Sequence, residues 1–105
     1  MAEAPAKAPP LVWLVMGDKP GDNGQLDVVG AALADRLGWR VLTRRVVMRP
    51  QWVTGKPPVE ASLHHIDPAR SDALGPPWPD LVVTIGRRPS MVALWIRAQS
   101  GDRTR

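Results

Sequence analysis

Three cations stand beside glycines at the ends of two apolar runs. Lys19 follows "LVWLVM" (11–16) within "GDKPGDNGQ", and Arg87 and Arg88 follow "PDLVVTIG" (79–86). Glycine lets a main chain approach a ligand closely. Lysine and arginine add charge and N–H donors, which phosphate and carboxylate groups require. The residues in reach are Gly17, Asp18, Lys19, Gly21 and Gln25 in the first stretch, and Gly86, Arg87, Arg88 and Ser90 in the second. The chemistry they suit is the holding of an anion. The motif itself is neither GxGxxG nor GxxxxGKS/T, and Asp18 and Asp22 repel a phosphate unless they turn away. A plain strand-to-helix corner with a solvated arginine pair is therefore the competing reading.

Other chemistries find little support. The chain has no cysteine, which removes disulfides and thiolate metal sites. His64 and His65 are adjacent, so they face opposite ways on a strand and diverge on a helix, and no metal site is expected from them. No Ser-His-Asp set or paired carboxylates can be assembled from the spacing.

The cations need elements to position them. Leu11–Met16 is continuously apolar between Pro10 and Gly17, the pattern of a strand covered on both faces in a parallel sheet. A helix should follow, with Asp22 and Gln25 spaced as a capping box. Leu26, Val29, Leu33 and Leu37 would form its apolar stripe, and Gly38 would close it. "WRVLTRRVVM" (39–48) reads as a second strand. Its arginines and threonine place it near an edge.

Residues 49–79 contain seven prolines. A short helix is expected near Pro68–Leu74 with Asp67 as its cap, and otherwise an irregular insertion in which 50–66 is the least ordered part. Trp52 and Trp78 either cap the core or lie exposed. Residues 81–85 form a third strand. A helix opening at Pro89 or Ser90 follows, with Met91, Leu94, Trp95 and Ala98 as its stripe, Val92 and Ile96 filling more of its circumference, and Gly101 as its end. The fold class is α/β: a three-layer, Rossmann-like half-domain whose parallel sheet has strand 11–16 at the centre, flanked by 40–47 and 81–85. Strand order then reverses at the centre. The crevice at the carboxyl ends of the strands lies between the two glycine-bearing turns, where helix N-termini favour negative charge.

With 105 residues the chain makes one small domain. Residues 1–10 ("MAEAPAKAPP") read as a disordered tail, not a signal peptide. No run approaches the roughly 20 apolar residues of a membrane span. Net charge is +4, and eleven of fourteen basic residues are arginine. They are scattered, so no nucleic-acid partner is expected. The chain stops at "DRTR", where another strand would be expected, and reads as the first part of a longer protein.

The stretches "VWLVMGDKPGDNGQ", "ALADRLGW" and "LHHIDPARSDALGPPWPDLVVTIGRRPSMVALWIRAQSG" resemble the amino-terminal part of the mitochondrial-fission ELM-like family over nearly all of 11–105. Its strongest signatures are D-x-x-G-x-x-x-Q (Asp18, Gly21, Gln25) and "PPWPDLVVTIGRR". Bacterial members are labelled predicted nucleoside-diphosphate-sugar epimerases, and the family looks like GT-B glycosyltransferases with two Rossmann-like domains. "PDLVVTIGRRPS" is also similar to the "PDVVV-G-GG-x-S" region of the peptidoglycan N-acetylglucosaminyltransferase.

The resemblance implies that Gly86–Ser90 face an interdomain cleft. This chain would give the acceptor side, for a sugar or lipid-linked acceptor, and a second domain of the same chain would take a nucleotide-sugar. No cofactor is expected in this stretch by itself, which should be inactive alone. Localisation is expected to be cytoplasmic or membrane-peripheral. An epimerase assignment lacks its residues: there is no GxGxxG fingerprint and no tyrosine for a Tyr-xxx-Lys pair. The second hypothesis is a non-catalytic interaction module, peripheral to a membrane or a division machinery.

Overall fold

The computed structural model of the chain describes residues 8–52 and 58–105. Residues 1–7 of the expected tail and 53–57 of the proline-rich stretch lie outside the described residues. The element order is β1 (Leu11–Met16), α1 (Pro20–Leu37), β2 (Arg40–Arg45), a single 3-10 turn at Pro50–Trp52, β3 (Leu81–Thr84) and α2 (Arg87–Gln99). The sheet order is β2-β1-β3. Both pairings are parallel, with Val12 opposite Val41 on one side and Leu81 on the other.

Strand β1 is central because it alone can be covered everywhere. Val12 to Met16 are all buried, and each such side chain contributes about 1.5–3 kcal/mol on burial. Alternation sends them to opposite faces. Val12, Leu14 and Met16 pack with Leu26 of α1. Trp13 and Val15 pack with Val92 and Ile96 of α2 and with Val46, Met48 and Ile66.

The expected apolar stripes hold in part on both helices: Leu26 and Met91 are buried, and Leu33 and Trp95 pack against the core. In α1 the buried positions are Leu26 and Gly30, while Val29 and Leu37 are exposed. Gly30 faces the sheet because a Cβ there would meet Leu14 Cδ1 at 2.6 Å. The missing side chain is what lets the helix lie so close, and a hydrophobicity pattern does not register it. In α2 the buried residues are Pro89, Met91, Val92 and Ile96, while Leu94 and Ala98 are exposed. That helix also starts earlier than expected, at Arg87. Pro89 is tolerated in its first turn because no intrahelical N–H bond is needed there.

The caps divide. Gly38 ends α1 in the left-handed conformation, with its N–H on the Ala34 carbonyl and the Trp39 N–H on that of Leu33. The expected Asp22–Gln25 capping box does not form. Lys19 occupies the N-cap without a side-chain bond, and Pro20 opens the helix.

The insertion covers the α2 face of the sheet. Trp78 packs between Trp13 and Trp95, with ring centroids 6.0 and 5.9 Å apart. Leu63, Ile66 and Leu74 join the same cluster. The expected helix at Pro68–Leu74 is only one turn, capped by Asp67 Oδ1 on the Ala69 N–H. It stops because the next residues bond to the strand edge instead. Ser71 Oγ accepts the Val47 N–H at 2.8 Å and Asp72 Oδ2 accepts the Arg45 N–H at 2.7 Å. Met48 and Ile66 form an antiparallel bridge beside them. The outer edge of β2 is thereby protected from further strand pairing, and β2 ends at Arg45 instead of continuing to residue 47.

Candidate functional site

The two strand-to-helix turns meet at the carboxyl edge of the sheet. Gly17, Asp18, Lys19, Asp22 and Asn23 come from the first, and Ile85, Gly86, Arg88 and Pro89 from the second. Together they line a shallow cleft. Contact between the turns depends on glycine at two places. A Cβ on Gly17 would lie 3.0 Å from Pro89 Cγ. Gly86 has φ 107°, a conformation that side-chain-bearing residues rarely adopt. Asn23 fixes the first turn by donating Nδ2–H to the Gly17 carbonyl at 2.9 Å.

Of the residues singled out in the sequence, Gly17, Asp18, Lys19, Gly86 and Arg88 come together here. Gly21 and Gln25 lie exposed on α1, away from the lining. Arg87 is exposed and does not line the cleft either, so the expected meeting of three cations reduces to Lys19 and Arg88. The register of the helix is the cause: Arg87 is its first residue and Arg88 its second, about 100° apart around the axis. Ser90 donates its hydroxyl to the Gly86 carbonyl and lies against a groove on the other side of α2.

Asp22, Asn23, Ile85 and Pro89 complete the cleft. Asp22 was visible in the sequence as a helix cap and as a carboxylate opposing an anion, and Pro89 only as a helix opener. Asp22 Oδ2 lies 3.7 Å from where a Gly86 Cβ would stand. The cleft therefore sets the carboxylates of Asp18 and Asp22 against the cations of Lys19 and Arg88. Such a balanced wall can accept hydrogen bonds from hydroxyl groups as well as donate them to an anion.

Arg88 is held from behind by the insertion. Its Nε–H donates to the Trp52 carbonyl. Its own carbonyl accepts the Nε2–H of His65 at 3.0 Å. That bond sets the His65 tautomer, with the proton on Nε2. His65 is fully buried and its Nδ1 finds no hydrogen-bond partner among the described residues. Burial pushes its pKa below the ordinary value, and the nearby His64 and Arg88 charges act in the same direction, while the Arg88 carbonyl opposes them. His65 is thus a neutral strut under the second turn. Among the described residues no three His, Cys, Asp or Glu side chains gather as a metal site.

A family model described as Mitochondrial fission ELM1 matches residues 20–105. The match takes in α1 and everything after it, and β1 with Gly17–Lys19 precedes it. No curated protein and no solved structure matches the chain. Among the described residues no helix is long and apolar enough to cross a membrane.

Proposed function

The chain belongs to the Mitochondrial fission ELM1 family, and from that premise we propose that it supplies the acceptor wall of an interdomain cleft in a GT-B-like, nucleotide-sugar-related protein. The observation that carries this reading is the meeting of the β1–α1 and β3–α2 turns at the switch point of a parallel sheet. Lys19, Arg88 and two helix N-termini favour a phosphate group. Asp18 and Asp22 favour the hydroxyls of a sugar. A second domain of the same protein would close the cleft and bring the nucleotide-sugar, and the wall by itself would be inactive. The acceptor would be a sugar or a lipid-linked sugar, reached by a cytoplasmic protein at or near a membrane surface.

One wall binds weakly. A dissociation constant near 1 mM needs only about 4 kcal/mol, and exposed charge contacts give about 1 kcal/mol or less each. Titration with UDP-sugar, UDP and inorganic phosphate, followed by amide chemical shifts, tests the proposal. Shifts should cluster at Gly17–Gly24 and Gly86–Met91, and Arg88→Ala should shrink them. Shifts confined to the outer surface of α1 around Val28 and Val29 would overturn it.

That surface favours a second reading, a non-catalytic interaction module. Val28 is 71% and Val29 39% exposed. Binding of lipid vesicles or a division protein through these residues, with no nucleotide response at the cleft, would support the module instead.

A further inference from the structure

Strands β1, β2 and β3 run parallel, so the main chain leaves all three at one edge of the sheet. The exits of β1 and β3 form the cleft. The exit of β2 reaches the same edge. Met48 Cε lies 3.9 Å from where a Gly17 Cβ would stand, and the 3-10 turn Pro50–Trp52 follows. The Trp52 N–H donates to the Arg49 carbonyl at 2.9 Å, and the Trp52 carbonyl accepts the Arg88 Nε–H. Trp52 is thus the immediate neighbour of a cation that lines the cleft.

Core packing does not account for this tryptophan. Among the described residues Trp13, Trp78 and Trp95 join one core cluster and Trp39 the other, whereas Trp52 belongs to neither. It is half-buried. Its ring is held in place all the same. The His64 imidazole packs edge to face with it, 5.3 Å between centroids and 65° between planes. His64 is in turn tied to its surroundings. Its N–H donates to Ser62 Oγ at 3.1 Å, and its Nδ1 pairs with the same hydroxyl. Its carbonyl accepts the Arg49 Nε–H at 3.1 Å. An aromatic side chain fixed before a ligand arrives loses little further freedom on binding.

We propose that Trp52 is the sugar-stacking residue of this cleft: a pyranose ring packs on the exposed part of the indole while a phosphate on that sugar meets Arg88. The proposal rests on the acceptor-wall reading above and names its substrate class, a glycosyl phosphate. The charges match, since the indole face is negative and the C–H bonds on a pyranose face point their positive ends outward. Aromatic side chains beside a few placed polar groups are also what orients small ligands in such clefts. One residue therefore serves both halves of the ligand. Its carbonyl holds the arginine and its ring receives the sugar.

The test is a titration of the chain with glucose 1-phosphate, inorganic phosphate and uridine, following backbone amides and the Trp52 indole N–H by NMR. Glucose 1-phosphate should move the Trp52 indole signal and bind about threefold to tenfold more tightly than inorganic phosphate, the range one aromatic contact supplies. Inorganic phosphate should shift Gly17–Gly24 and Gly86–Met91 and move the indole far less. Trp52→Ala removes the ring but keeps the carbonyl that holds Arg88. It should lower the affinity for glucose 1-phosphate to that for inorganic phosphate and leave the latter unchanged, and Trp52→Tyr should keep most of the gain. Loss of the phosphate response in Trp52→Ala would make the ring a structural support and overturn the proposal. If phosphate shifts the cleft while glucose 1-phosphate neither binds more tightly nor moves the indole, the stacking role fails and the acceptor wall stands. If no probe shifts the cleft, both fall. An indole shift with uridine as large as that with glucose 1-phosphate would assign the ring to a nucleobase and overturn the sugar.

Discussion

Replacing Gly30 with alanine should destabilise the domain although alanine is the better helix former. A methyl at Gly30 would stand 2.6 Å from Leu14 Cδ1 and 3.3 Å from Val41 Cγ1. Carbon atoms pack best at about 3.5–4.0 Å, so α1 or Leu14 must yield by about 1 Å. Leu14 is only 2% exposed and packs with Val12, Met16 and Leu26, which leaves its side chain little room to turn. Overpacking of this kind costs about 1–3 kcal/mol. Alanine returns about 0.8–1 kcal/mol of helix propensity. The net effect is a loss of up to about 2 kcal/mol.

Gly24 in the same helix is the control. A Cβ there meets nothing within 4 Å, so Gly24→Ala should gain the propensity term alone, about 0.8–1 kcal/mol. Urea unfolding followed by tryptophan fluorescence separates the two. A difference of about 2 kcal/mol with a slope of about 1.5 kcal/mol/M parts the midpoints by about 1.3 M. Leu14→Val removes Cδ1, and in that background Gly30→Ala should cost measurably less, a coupling that reports the contact itself. A Gly30→Ala midpoint raised as far as that of Gly24→Ala would refute the close helix–sheet approach.

Stability should fall with acid through His65. The fold disfavours its proton, so the unfolded chain binds more protons below the ordinary pKa of 6.5. Its contribution is complete above about that pH and declines as pH falls toward the lowered folded value, and His65→Leu should flatten the slope of melting temperature between these limits. Ser71→Ala should cost about 1–3 kcal/mol, because the half-buried Val47 N–H loses its acceptor, and thermal melting would read it. Asp72→Ala, whose bond to the Arg45 N–H is exposed, should cost less than Ser71→Ala, and the reverse order would contradict the clamp on β2.

Much of the fold was legible locally. Six consecutive apolar residues between Pro10 and Gly17 can be satisfied only by cover on both faces, so the central place of β1 follows from composition at those positions. The arginines of β2 marked it as an edge, and Gly38 marked the end of α1 because only glycine adopts that conformation without cost. The glycines of both turns likewise pointed to the end of the sheet where the two turns meet. What only the tertiary structure decided involves residues far apart in the chain. Gly30 faces the sheet because Leu14 and Val41 approach it, and a missing side chain leaves no trace in a hydrophobic pattern. Asp67 could have opened a helix, but Ser71 and Asp72 accept the N–H groups of Val47 and Arg45 at and just past the end of β2. Arg88 lines the cleft while Arg87 does not, because successive helical residues project about 100° apart and the Trp52 carbonyl holds the Arg88 side chain. Local propensity sets which elements can form, whereas the faces they bury are set by hydrogen-bond and packing partners that sequence distance conceals.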